Sequence, residues 1–187
     1  MRALSAEKLL NIWECGVAQQ PADQAMELLA AARPESTRES LAELSMGQRT
    51  GELLMLRELL FGRQMTGVVA CPRCAEQLEL SLDAAELRSS SSDSQKTEIS
   101  MSFAGYDIAL RLPTSSAVVA AASQPELARG RSALLQHCLL AASCDGAPVS
   151  SDQLPAEVIE AVGERLAEAD PLADIQIAMA CPSCSHA

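Results

Sequence analysis

Apolar positions repeat at helical spacing through roughly the first sixty residues and then switch to alternation. Residues 4–15 and 22–33 carry the rhythm of amphipathic helices. The second follows Pro21, a residue suited to a first helical turn, and ends before Pro34. Ser36 and Thr37 are candidate caps for a short helix over residues 37–44. Across residues 47–62, Leu53, Leu56 and Leu60, with Leu59 and Phe61 beside them, predict a fourth helix that Gly62 can terminate. Together these segments predict a small helical bundle, a region spanning residues 1–66.

The alternation begins near Gly67. Val68 and Val69 lead into Cys71-Pro72-Arg73-Cys74. Beyond it Leu78, Leu80 and Leu82 share one face, with Gln77, Glu79 and Ser81 on the other. This predicts a hairpin with the cysteine pair at its tip. The serine-rich stretch 89–95 reads as a flexible loop. Residues 97–103 and 106–112 alternate around Ala104-Gly105, a second hairpin. After Pro113 the helical rhythm returns over 114–123, over 130–143, and in a helix opened by Pro155 with the stripe Val158, Ile159, Val162 and Leu166. Asp145-Gly146 reads as a turn, and Asp170-Pro171 as the start of one further helical turn. Ile175, Ile177 and Met179 then alternate with Gln176 and Ala178, predicting a last strand that runs into Cys181-Pro182-Ser183-Cys184. The expected fold class is α+β. Residues 67–187 would form a small antiparallel β region organised as a split zinc ribbon, with a helical insertion over about 114–169.

Composition narrows the function classes. Apolar residues make up 48% and charged residues 21%, enough for an ordered core. Trp13, Phe61, Phe103 and Tyr106 are all the aromatics, too few for a surface that stacks single-stranded bases. The net charge of −11 repels phosphate backbones and anionic lipid. Only Arg63, Arg73 and Arg88, near the first cysteine pair, hint at a basic patch. Neither a nucleic-acid nor a membrane partner is therefore expected. No apolar run approaches the ~20 residues of a membrane span, and the N-terminal stretch is polar where a secretory signal is apolar. The expected location is the cytoplasm.

The chain has seven cysteines, an odd number that argues against a secreted disulfide framework. Cys15 and Cys138 lie in helical stretches and read as small core hydrophobes, while Cys144 stands apart. The four in the two Cys-Pro-x-Cys pairs suit tetrahedral metal binding. A two-residue spacer turns both thiolates toward one point, and proline stiffens the turn. Cys71, Cys74, Cys181 and Cys184 are the candidate ligands, and zinc is the default ion. Four thiolates leave no open coordination position, so such a site is structural. Residues 75–180 separate the pairs, against about 15–20 residues in a compact ribbon. The knuckles would thus meet across a large insertion whose flanking strands could pair side by side.

His186 reads as an exposed residue or a support to a ligand, and His137 as a partly buried helix residue. The rival chemistry is a redox dithiol, which draws its low thiol pKa from a helix starting at the motif. Here a strand follows the first pair and only Ser185-His186-Ala187 follow the second. A zinc-ribbon module serving nucleic-acid machinery is a further alternative, opposed by the charge. Phosphate loops, nucleophile elbows and metalloprotease motifs are missing from the sequence. The expectation is a protein that is not an enzyme.

Four stretches resemble the T4-type baseplate hub assembly proteins of contractile-tailed phages and phage-tail-like injection systems. They are LLNIWECGVAQQPADQAMELLAAA, LRELLFG with VVACPRCAEQLEL, IALRLPTSSAV, and LPAEVIEAVGERLAEADPLADIQIAMACPSC. The resemblance implies a non-enzymatic role, as chaperone or minor structural subunit, in building the baseplate or hub. It implies other baseplate or hub proteins as partners and incorporation into a tail-like particle. It maps the family's metal-ligand pattern onto Cys71, Cys74, Cys181 and Cys184. It also implies a further strand and helical segments past the second knuckle, where the present sequence reads Ser185-His186-Ala187.

Overall fold

The structure is a computed structural model that describes residues 1–89 and 97–186. Helices α1 (Ala6–Gly16), α2 (Pro21–Ala32), α3 (Arg38–Ala42) and α4 (Met46–Phe61) come first. Their starts follow local chemistry. The side-chain oxygens of Ser5, Thr37 and Ser45 accept from the amides of Lys8, Ser40 and Gln48, and Gln48 returns a bond to the Ser45 amide to complete a capping box. Leu4, Ala32 and Leu56 form one buried cluster, and Met26, Leu29 and Leu41 another.

On α4, Leu56 is buried and Leu60 and Leu53 pack against the two clusters, while Leu59 and Phe61 face outward. The Arg57 guanidinium lies over Phe61, 5.9 Å from its ring centre. One expectation fails in this region: Cys15, read as a core residue, is exposed. Gly16 is the buried position of that turn, lying so close to Gln24 that a Cβ would sit 3.2 Å from its Cγ.

Strands β1 (Gln64–Ala70) and β2 (Gln77–Asp83) form an antiparallel hairpin with Met65 opposite Leu82, Gly67 opposite Leu80 and Val69 opposite Leu78. A short helix α5 (Ala84–Ser89) follows, which the serine-rich pattern concealed. Asp83 starts it by accepting from the amides of Ala85 and Glu86. Ser89 of the expected flexible loop ends α5, and the rest of that loop lies outside the described residues.

Strands β3 (Glu98–Phe103), β4 (Tyr106–Arg111), β5 (Leu139–Cys144) and β6 (Ala147–Pro148) form an antiparallel sheet in that order. Both tight turns, Ala104-Gly105 and Asp145-Gly146, have positive φ at both residues, the conformation that matches strand twist and that glycine adopts without penalty. Helices α6 (Ser115–Ala122) and α7 (Leu127–Cys138) precede β5. The helix expected over 130–143 ends at Cys138, and the region expected to be a helical insertion contains β5 and β6. The apolar run Leu139-Leu140-Ala141-Ala142 fits either structure. The open edge of β4 decides it, pairing Leu110 with Leu139 and Ile108 with Ala142. Helix α8 (Ala156–Ala169) packs Val158 and Val162 against Ile108, Leu110, Ala142 and Leu154. No described helix is long and apolar enough to cross a membrane.

The strand expected over 175–179 does not form. Its alternation suits a strand, but a strand needs a neighbouring edge, and among the described residues none is hydrogen-bonded to it. The β region is therefore a two-stranded hairpin and a separate four-stranded sheet. The expected flanking strands of the two knuckles do not pair.

The start of α4 is tied to distant segments by two hydrogen bonds. Met46 donates its amide to the Pro113 carbonyl at 3.0 Å, and Gly47 donates to Asp170 Oδ2 at 2.9 Å. Asp170, read from sequence as a local cap, is 2% exposed and instead serves the N-terminus of α4.

Candidate metal centre

Each Cys-Pro-x-Cys segment folds into the same loop. In the first, the Cys71 amide donates to the Glu76 carbonyl at 2.8 Å and the Ala75 amide donates to the Cys71 carbonyl at 2.9 Å. In the second, the Cys181 amide donates to the His186 carbonyl and the Ser185 amide to the Cys181 carbonyl, both at 2.8 Å. Ala75 and Ser185, each one position past the second cysteine, adopt left-handed φ values of 61° and 54°. That conformation turns the following amide back toward the sulfurs. The amides of Arg73 and Cys74 meet the Cys71 sulfur, that of Glu76 meets Cys74, and that of His186 meets Cys184. His186 thus contributes its backbone, and its ring stands outside the cluster of ligand atoms.

The two loops face each other. Cys71 Sγ lies 3.7 Å from Cys184 Sγ, and Cys74 Sγ lies 3.6 Å from Cys181 Sγ. All four sulfurs fall within 4.8 Å of one another. A tetrahedron with metal–sulfur bonds of about 2.3 Å has edges of about 3.8 Å, so the cross-knuckle spacings fit one ion. Cys71 and Cys181 are buried, while Cys74 is exposed and Cys184 half-buried. The arrangement can hold a metal ion with four sulfur donors.

Electrostatics agrees with the geometry. The amides of Arg73 and Cys74 pull the Cys71 thiol down to about 6. At Cys74 the Glu76 amide favours the thiolate, but the neighbouring Cys184 sulfur and burial outweigh it and push the thiol up to about 12. Four thiolates this close repel one another, and a cation among them removes that repulsion.

The other candidates disperse. Cys138 is fully buried and distinct from the cluster, and its thiol is pushed up to about 11 by burial, which outweighs the nearby Arg111. His137 is half-buried, with Nε2 3.4 Å from the Thr114 hydroxyl. Two of the three arginines near the first knuckle are neutralised, Arg63 by Asp83 at 3.0 Å and Arg88 by Glu58. Neither knuckle opens a helix: β2 follows the first, and Ser185 turns the second. The Asp170 to Gly47 bond is the tertiary link that the sequence reading missed.

The sequence model of one family, described as T4 bacteriophage base plate protein, matches residues 6–187. Comparison with curated proteins and with solved structures found no match.

Proposed function

This chain belongs to the T4 bacteriophage base plate protein family, and from that membership we propose that it is a non-enzymatic assembly protein for the baseplate or hub of a contractile tail, acting as a chaperone or minor subunit. Its partners are other baseplate proteins. Cys71, Cys74, Cys181 and Cys184 would hold one zinc ion as a structural cross-link. The cross-knuckle sulfur spacings of 3.7 and 3.6 Å are the observation that carries this reading of the site.

The cross-link would tie residue 181 to residue 74, 107 positions away. Loop-closure entropy for a tie of that length is worth about 5 kcal/mol. Residues 171–180 contain no helix or strand, so the tie does most at the chain's distal part. The reading expects one zinc per chain by elemental analysis. Cys71→Ser is expected to lose the metal and to melt roughly 10 °C lower. Full zinc occupancy and an unchanged melting temperature in that variant would sink the shared site. Deleting the gene is expected to leave tails without complete baseplates, and intact, infective particles would refute the assembly role.

A further inference from the structure

We propose that helix α1 presents an apolar seam, Ala6, Leu10, Trp13 and Val17, to an amphipathic helix of another protein that carries lysine or arginine beside its own apolar stripe. The baseplate reading says only where that protein is found; the seam does not depend on it.

Spacing sets the seam. Positions 6, 10, 13 and 17 are four, three and four residues apart, the repeat that keeps one stripe facing a neighbouring helix. Val17, just past the end of α1, keeps helical torsions of −53° and −33°, so the stripe runs through it. The face that α1 buries is a different one. Leu9 and Ile12 pack on the cluster of Leu4, Ala32 and Leu56, and Gly16 is buried. Leu10, Trp13 and Val17 remain 54%, 68% and 67% exposed. Single exposed apolar residues are ordinary, but three in one row around the chain's one tryptophan form a patch of the sort that proteins bury against partners. Residues 90–96, Ser-Ser-Ser-Asp-Ser-Gln-Lys, have no apolar side chain with which to cover it.

The flank of the seam decides the occupant. Glu7 and Glu14 directly follow Ala6 and Trp13, the positions that border a partner helix. Both are exposed, and neither is ion-paired to a described residue. Lys8, the one basic residue of α1, falls on the side of the helix opposite the seam. A second copy fits badly. Paired antiparallel, Glu7 and Glu14 would border the same glutamates of the copy. Paired parallel, they would meet the flank of Leu9 and Gly16, which is packed into the chain itself. Each copy also carries −11. Lysine or arginine at the bordering positions of a different helix pairs both carboxylates instead.

The test titrates the full chain with a synthetic three-heptad peptide that has leucine in its own seam, lysine on both flanks and no aromatic residue. Its flanking lysines repel one another and keep the peptide from pairing with itself. The readout is the emission of Trp13, the only tryptophan. The chain alone is expected to emit as an indole in water. The lysine peptide is expected to move the emission to shorter wavelength. It is expected to half-saturate at about a tenfold lower concentration than the same peptide with glutamate flanks, as two exposed ion pairs formed instead of opposed would give. Glu7→Lys combined with Glu14→Lys is expected to reverse that preference. Leu10→Asp, at an exposed position, is expected to keep the far-ultraviolet circular dichroism and lose the shift.

No shift with either peptide, equal affinity for both, or a preference unchanged by the charge reversal overturns the proposal. So does short-wavelength emission from the chain alone. At every concentration it would mean that the chain covers its own seam, and rising with concentration it would identify a second copy as the occupant. Peptide binding by a chain that tails can do without would remove the baseplate reading and leave the seam standing. Incomplete tails on gene deletion, with Trp13 unmoved by either peptide, would leave the baseplate reading and remove the seam.

Discussion

Gly47→Ala tests a polar contact between residues 123 positions apart in the chain. An added Cβ would lie 1.7 Å from Asp170 Oδ1 and 2.6 Å from its Cγ, inside any permissible contact. The carboxylate must leave, and with it goes the 2.9 Å bond from the Gly47 amide. A buried hydrogen bond to a charged acceptor contributes about 1.5–3 kcal/mol. Repacking strain adds about 1–3 kcal/mol, and the lower backbone entropy of alanine returns up to about 1 kcal/mol. The expected net loss is about 3 kcal/mol, a fall of roughly 6–12 °C in melting temperature for a chain of this size. Asp170→Ala leaves the same amide buried and unpaired, at about 2 kcal/mol. It also vacates the space that the new methyl group needs. The double variant is therefore expected to cost about as much as Asp170→Ala alone, and not the sum of about 5 kcal/mol. Urea denaturation followed by far-ultraviolet circular dichroism measures this cycle. Trp13 fluorescence is a poor probe because that side chain is 68% exposed. Additivity within about 0.5 kcal/mol would refute the claim that the two residues act as one contact.

Two other expectations concern single groups. Burial alone would raise the Asp83 carboxyl, but the Ala85 amide, Arg63 and the Glu86 amide outweigh it and hold it below its ordinary range. Its contribution is then complete above about pH 4 and disappears as pH falls through the lower folded value. The difference in melting temperature between the protein and Asp83→Asn is expected to shrink from about pH 6 to about pH 3, and a constant difference would contradict it. Cys15 is expected to react with a thiol reagent in the native protein while Cys138 reacts only on unfolding, a contrast that mass spectrometry of labelled peptides measures. Equal labelling rates would show that Cys138 is not enclosed.

Elements governed by neighbours in the chain were legible beforehand. The α2 start at Pro21, the Thr37 cap, both hairpins and the α8 stripe follow from turn chemistry and periodicity within a few residues of one another. The four cysteines that converge were named from their spacing alone, because a two-residue spacer already aims each pair at one point. Elsewhere the same local signals misled. The run after Cys138 suits a helix or a strand, and the open edge of β4 made it a strand. The alternation of residues 175–179 suits a strand, and no described strand lies beside it.

By itself, then, the sequence determined the local elements, the two identical thiol loops and the acidic character of the surface. Those depend on torsions, caps and composition, which act over a few residues or none. The tertiary structure alone decided that Asp170 serves the start of α4, that Cys15 faces solvent while Cys138 is enclosed, and that the run after Cys138 is a strand. Each of these depends on which distant surface arrives alongside, a quantity that no local pattern encodes.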